Sequence, residues 1–291
     1  MDTIQKFVSS GKVIKKKYKR AMIKKYDKNN DNFITIDEYL DDKISLGPDE
    51  SKGNINYKYQ YINNIYNYFF LIKLKEINKY KVLCIPDFII QETYEDNSIE
   101  KLQNSIYLNL KYNYYIIPDN LKKIINSCNN NKNHRLIYLT CGIKLNTSKH
   151  VNMVIIDLKK KTIERYEPYG NLKCNKFLEE EVIINKLFIT LLKNTNIDLE
   201  YIPPVKLSSN VGIQVLADSY NGMCVTISML YLQMRLLNID LKQSKIIDYF
   251  LKKDKNTLKR IILRFAKYVQ KKLEKYNIEV NELHRNIYYN N

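Results

Sequence analysis

The sequence predicts an α+β fold: a small mixed sheet flanked by helices, with an N-terminal helix-loop-helix ahead of it. Three observations lead there. Between Leu136 and Tyr166, short runs rich in β-branched and aromatic residues are separated by polar turns, which is how strands read. From Asn175 onward, longer stretches carry apolar residues at helical spacing and close the chain. Near the N-terminus, an apolar helical face at Met22, Ile23 and Tyr26 runs into a loop rich in Asp and Asn.

Taken in order, the helix-loop-helix unit occupies residues 1–46. Gly47 to Asn54 (Gly-Pro-Asp-Glu-Ser-Lys-Gly-Asn) marks a linker, 47–56, because Gly and Pro interrupt regular structure. The main domain is 57–291. Within it, Tyr57 to Tyr80 reads as a helix, with strand left open by its aromatic content. Val82 to Ile90 reads as a strand, and Ser98 to Leu110 and Asp119 to Ser127 as helices. Asn129 to Asn133 is a polar loop. Strands follow at Leu136 to Ile143, His150 to Asp157 and Thr162 to Tyr166. Asn175 to Lys193 is an amphipathic helix, and Leu199 to Ile202 a short strand ahead of Pro203-Pro204. Cys224 opens a helix to Leu237, and Lys242 to Leu251 and Asn256 to Tyr276 are the last two helices.

At 291 residues and 45% hydrophobic, the chain can bury a full core. No run approaches the roughly 18 to 20 apolar residues of a membrane span, so no membrane partner is expected. Met1-Asp2-Thr3-Ile4-Gln5-Lys6 lacks the apolar core of a signal peptide. Five widely spaced cysteines (Cys84, Cys128, Cys141, Cys174, Cys224) make neither a disulfide framework nor a zinc pattern, which points to a reducing, intracellular setting. The net charge of +17, from 48 basic and 31 acidic residues, favours nucleic acid or another polyanion as a partner. Basic residues are densest over Lys12 to Lys25 and Lys252 to Lys275, and the 25 Tyr offer stacking surface. Abundant Lys, Asn, Ile and Tyr suit an AT-rich genome such as that of a large DNA virus.

His150, Glu167 and Cys224, in that order, carry the functional signal. His150 opens the run Val151-Asn152-Met153-Val154-Ile155-Ile156-Asp157, a basic turn follows, and Thr162 to Tyr166 leads into Glu167-Pro168-Tyr169-Gly170. Two strands and a turn fit in the 17 positions between His and Glu, so a hairpin returns both to the same end. Asn221-Gly222-Met223-Cys224 then places a thiol at a helix N-terminus, where the macrodipole favours thiolate. A base, an orienting carboxylate and a thiol are the parts of an activated cysteine nucleophile.

This layout resembles the superfamily of the adenovirus endopeptidase and the proteases of SUMO and ubiquitin-like proteins. The likeness spans Leu136 to Leu237, about a third of the chain, and is densest at the segment Arg165-Tyr166-Glu167-Pro168-Tyr169-Gly170. It implies a nucleophile on a central helix, Cys224; a base, His150; a third member, Glu167; and a Gln in the oxyanion hole. Gln214, ten positions before Cys224, is the choice for that Gln, with Asn221 as the alternative. The chain departs from the pattern in having Val151 after the His and Val225 after the Cys. The resemblance implies a thiol peptidase acting on a protein substrate, a polyprotein or a ubiquitin-like conjugate. The alternative is a catalytically inactive fold that binds calcium or polyanions.

Asp27 to Glu38 resembles the twelve-residue EF-hand calcium loop. Asp27, Asn29 and Asp31 take loop positions one, three and five, Phe33 offers its carbonyl at seven, Thr35 sits at nine, and Glu38 is the bidentate carboxylate at twelve. Asn32 replaces the usual Gly at six, where φ must be positive. With no second loop and seven basic residues between Lys15 and Lys25, weak calcium binding is expected.

Overall fold

The computed structural model describes residues 17–40, 44–46, 82–145, 149–170, 178–207, 211–217 and 223–275. The linker 47–56, the segment Tyr57 to Tyr80 and Asn221 lie outside them. Helix α1 covers 17–26 and α2 Ile36–Leu40. Then come β1 Leu83–Cys84, β2 Ile89–Thr93, β3 Ile99–Gln103, β4 Ser105–Asn109, β5 Tyr114–Ile116 and α3 Leu121–Asn130. The centre holds β6 Leu136–Lys144, β7 Lys149–Asp157, β8 Thr162–Tyr166, α4 Leu178–Asn194 and β9 Glu200–Ile202. The rest is helical: α5 Pro204–Leu207, α6 Ile213–Leu216, α7 Cys224–Leu237, α8 Gln243–Leu251 and α9 Lys255–Lys275.

The class is α+β, as expected. A seven-stranded mixed sheet runs β5-β4-β6-β7-β8-β9, with β1 sharing the edge of β6 that β4 occupies further along. β6, β7 and β8 are antiparallel neighbours, whereas β1 and β4 pair parallel to β6 and β9 parallel to β8. β6 and β7 are buried along almost their whole length because both faces of the sheet are covered. That is why they read as apolar runs rather than as alternating strands. One face packs Leu136, Tyr138, Met153, Ile155 and Tyr166 against α7, α8 and α9. The other packs Ile137, Leu139, Val154, Ile156 and Ile163 against α3 and α4.

α7 is central. Of its residues only Val225 is not fully buried, and a helix surrounded on all sides shows no polar stripe. Two of its polar members, Tyr231 and Arg235, bond to the sheet. Glu164 on β8 accepts from Arg235 Nε (2.9 Å), Tyr231 OH (3.1 Å) and Gln243 Nε2 (2.6 Å), locking α7 and α8 to the sheet. Arg135 bridges Asp157 (3.3 Å) and Asp240 (2.5 Å) at the far end of the same layer.

The N-terminal helices share this core. Tyr18, Ile34, Ile36 and Leu40 are buried with the α7–α9 side chains. Tyr18 OH donates to the Leu236 carbonyl (2.8 Å). Asn238, at the C-cap of α7, accepts from Ile34 N–H (2.9 Å) and donates to Ile34 C=O (2.8 Å). One side-chain amide thus satisfies both backbone groups of Ile34.

Three expectations are corrected. Ser98 to Leu110 is not a helix but two strands, β3 and β4, broken at Asn104 with φ 51°. Pairing of β4 with β6 supplies backbone partners that outweigh local propensity. Val82 to Ile90 is not one strand: β1 ends at Cys84 and Pro86, which lacks an N–H, precedes the start of β2. Cys84 and Cys128 are joined by a disulfide, with Cα atoms 5.9 Å apart across 44 residues. Their spacing gave no hint, because packing of α3 on the sheet is what brings them together. Among the described residues, no helix is long and apolar enough to cross a membrane.

Candidate active site

The hairpin β7–β8 sets Met153 opposite Tyr166 and Val154 opposite Arg165. One further step of the same register puts Glu167 opposite Asn152, with His150 diagonally beyond it. Diagonal neighbours lie about 7–8 Å apart at Cβ, within reach of long side chains. The 17-residue gap between His150 and Glu167 therefore ends in contact: His150 Nε2 and Glu167 Oε1 are 2.6 Å apart. Because side chains alternate across a strand, His150 and Asn152 share a face of β7, and Arg165 and Glu167 the matching face of β8.

Glu167 accepts two further bonds, from Asn152 Nδ2 (2.7 Å) and from the Tyr169 backbone N–H (2.9 Å). Burial alone pushes its carboxyl pKa up, but the imidazole, the Tyr169 N–H and the Arg165 charge hold it below the usual carboxylate range. Burial likewise disfavours protonated His150, yet the Glu167 charge and the Cys224 side chain outweigh it and push its pKa up to about 10. Cys224 lies near enough to His150 to contribute to that rise. The structure thus brings together His150, Glu167 and Cys224, separated by up to 74 positions in the chain.

Cys224 is the first residue of α7, where backbone N–H groups lack intrahelical partners. Gln214 lies in α6, fully buried, with its amide oxygen free of any protein partner. Two backbone bonds tie its segment to the Glu-Pro-Tyr-Gly turn: Gly212 N to Tyr169 O (2.7 Å) and Gln214 N to Pro168 O (3.0 Å). That approach requires glycine on both sides. Gly170 has φ 87°, and a Cβ on Gly212 would sit 2.2 Å from Gly170 N and 2.3 Å from Pro168 O.

The site is enclosed among the described residues: His150 and Glu167 are 6% exposed and Cys224 7%. The Tyr169 ring tilts over the imidazole, centroids 4.9 Å apart. A cavity of about 20 Å³ beside His150 is lined by Leu145, Glu167, Tyr169, Glu180 and Ile184.

Sequence reasoning offered Asn152 only as the nearest substitute for Glu167 as third triad member, and missed Arg165 as part of this site. Arg165, fully buried, donates from Nη1 to Asn152 Oδ1 (2.5 Å) and from Nε to Tyr201 OH (3.0 Å), and from Nη2 to Asn185 Oδ1 (3.0 Å) and to Glu181. The available signal was an Asn two residues after the His in an otherwise apolar strand.

At the N-terminal loop, Asn32 has the positive φ expected, 62°. Asp27 Oδ2 accepts from Asn32 N–H (3.0 Å), Asn29 Oδ1 from Asp31 N–H (3.0 Å) and Asp31 Oδ1 from Phe33 N–H (2.7 Å). Thr35 and Glu38 form a capping box at α2: Glu38 N–H donates to Thr35 Oγ1 (3.1 Å) and Glu38 Oε2 accepts from Thr35 N–H (2.8 Å). Glu38 Oε1 accepts from Lys28 N–H (3.0 Å). Asp27 Oδ1 is buried without a partner. Among the described residues, no group of three or more His, Cys, Asp or Glu side chains is disposed to hold a metal ion.

No family model matches the chain. A curated relative, the putative ankyrin repeat protein L371 of Acanthamoeba polyphaga mimivirus, is 25% identical over 226 residues, covering 70% of this chain. The chain spans 26% of that protein's length. Similar solved structures include the SUMO protease Ulp1 with its catalytic cysteine oxidized to a sulfinic acid, at 15% identity and TM-score 0.27, covering 79% of this chain and 88% of that one. The sulfonic acid form has 13% identity and TM-score 0.29, covering 87% and 96%. The C-terminal Ulp1 protease domain in complex with Smt3, the yeast ortholog of SUMO, has 15% identity and TM-score 0.26, covering 72% and 96%. At this level of similarity, the functional reading rests on the geometry of the side chains.

Proposed function

We propose that the chain is a thiol-dependent peptidase that cleaves a peptide or isopeptide bond in a protein substrate, a polyprotein or a ubiquitin-like conjugate. The observation that carries this reading is the buried imidazole of His150, bonded to Glu167 and close enough to Cys224 to feel its side chain. With Nε2 turned to Glu167, Nδ1 is the ring nitrogen left for the thiol. Cys224 Sγ attacks the carbonyl carbon to form a thioester, and His150 passes its proton to the departing amine. Water then hydrolyses the thioester. The Cys224 backbone N–H and the Gln214 side chain are the assigned oxyanion donors, each worth about 2.7–4 kcal/mol. Asn221 is the alternative to Gln214. A profile of peptide and ubiquitin-like substrates, with Cys224→Ala as control, tests the reading. Cleavage that survives in the control, or its absence from every substrate while His150→Ala leaves thiol-probe labelling of Cys224 unchanged, overturns it.

The second reading is a catalytically silent fold serving as an interaction protein, and it draws on the enclosure of the thiol. A polyanion is its natural partner. The two basic segments converge where Lys25 on α1 and Lys275 on α9 lie near enough to Lys272 to lower its pKa, after the larger effect of burial. Weak calcium binding belongs to either reading. The buried, unpartnered Asp27 Oδ1 and the turn at Asn32 support it. To complete a site with Asp27, Asn29, Asp31, the Phe33 carbonyl and Thr35, Glu38 must give up backbone N–H bonds, which lowers affinity.

A further inference from the structure

We infer that Asn152 and Arg165 are positioning residues for the His150–Cys224 pair: Arg165 dictates which way the Asn152 amide points, and Asn152 thereby holds Glu167 as a carboxylate aimed at His150. The catalytic meaning of this rests on the peptidase reading; the geometry does not.

The two ends of an asparagine amide are alike in shape and are told apart only by their hydrogen bonds. Arg165 carries donors alone and stays charged, so the end of Asn152 that meets Nη1 must be the oxygen. The NH2 group is then committed to Glu167 Oε2 at 2.7 Å. A donor in that position leaves no room for a carboxyl proton on Oε2 and favours the ionised form. Every hydrogen-bonding neighbour of Glu167 among the described residues is of this kind: the imidazole, the Asn152 NH2 and the Tyr169 N–H. Three such donors offset the cost of burying the charge.

Arg165 cannot itself swing. Tyr201 on β9 and Glu181 and Asn185 on α4 hold its remaining nitrogens. Tyr201 OH donates in turn to Asn185 Oδ1 (2.7 Å). The orientation of His150 is thus anchored, through Glu167, Asn152 and Arg165, in the helix and edge strand on the far side of β8. An apolar side chain at 152 would fill the same space between His150 and Val154 and leave Glu167 Oε2 facing no donor.

The test uses the full 291-residue chain. His150 is followed by NMR titration of its imidazole, assigned by comparison with His150→Gln, and Cys224 by its alkylation rate with iodoacetamide. In Asn152→Leu the His150 titration should fall by at least one pH unit, and alkylation at pH 6 should slow tenfold or more. Arg165→Lys keeps a charge for Glu181 but loses the planar fork, so the amide is free to flip; it should move both readouts in the same direction by less. Val154→Ala, which removes core volume from the same face of the same strand, should weaken stability and move neither. A folded Asn152→Leu or Arg165→Lys protein with wild-type titration overturns the inference. So does an equal shift in Val154→Ala. A shift confined to the two polar variants, in a wild-type protein that cleaves no substrate, sustains the positioning role and removes the peptidase reading instead.

Discussion

Replacing Glu167 by Gln is the most informative single perturbation, because it removes one charge and keeps the shape. The carboxylate takes three donors, at 2.6, 2.7 and 2.9 Å. A glutamine keeps one oxygen and substitutes an NH2 for the other. If the oxygen stays with His150 and Tyr169, the new NH2 confronts the Asn152 NH2, and Asn152 can turn only by breaking its bond from Arg165. The site is therefore left with one unmatched buried donor, at a cost of about 1–3 kcal/mol in stability. A hydrogen bond to a charged group is worth about 1.5–3 kcal/mol. At 1.36 kcal/mol per pH unit, its loss lowers the His150 pKa by about one to two pH units from the value of about 10. Imidazolium is then harder to keep beside the thiolate. The alkylation rate of Cys224, measured from pH 5 to 10, should shift its acid limb upward and retain a plateau. Turnover should fall but persist, whereas Cys224→Ala abolishes it. An alkylation profile identical to wild type, in a Glu167→Gln protein shown to be folded, refutes the orienting role. Total loss equal to that of Cys224→Ala refutes the division of labour between base and orienter.

Three further outcomes are expected. The His150–Glu167 pair makes stability depend on pH from two sides: the raised His150 pKa gives stabilisation that is full below the unfolded value of about 6.5 and lost as pH rises through about 10. The depressed Glu167 pKa gives stabilisation that is present above the ordinary 4.5 and lost as pH falls through its lowered value. Urea midpoints of wild type and His150→Gln should accordingly differ most near pH 5–6 and converge by pH 10–11; a constant difference contradicts this. Gly212→Ala forces a Cβ into the Glu-Pro-Tyr-Gly turn and should cost about 2–4 kcal/mol or displace the α6 segment, seen as a lowered Tm together with slower alkylation of Cys224. Calcium should bind with a dissociation constant of about 10⁻⁵ to 10⁻³ M and be lost in Glu38→Gln with catalysis retained. Calorimetric titration showing no heat up to about 5 mM calcium rejects the site.

Much of this molecule is legible in the chain because its decisive elements are local. β6, β7 and β8 announce themselves as apolar runs between polar turns, and the spacing from His150 to Glu167 is a consequence of one hairpin's register. The helix opened by Cys224 likewise follows from its length and composition. Long-range pairing decided the rest. Ser98 to Leu110 carries no clean period because β4 is buried on both faces, so only its bonding to β6 makes it a strand. Asn238 meets Ile34 across 204 residues, and Cys84 meets Cys128 through the packing of α3. Within the site, the residue types of base, carboxylate and thiol identified themselves, but the bonding of Asn152 to Glu167 and to Arg165 did not. Periodicity reports which face a side chain takes, not which partner it meets there, and an asparagine amide acquires a direction only when an arginine from the neighbouring strand fixes it.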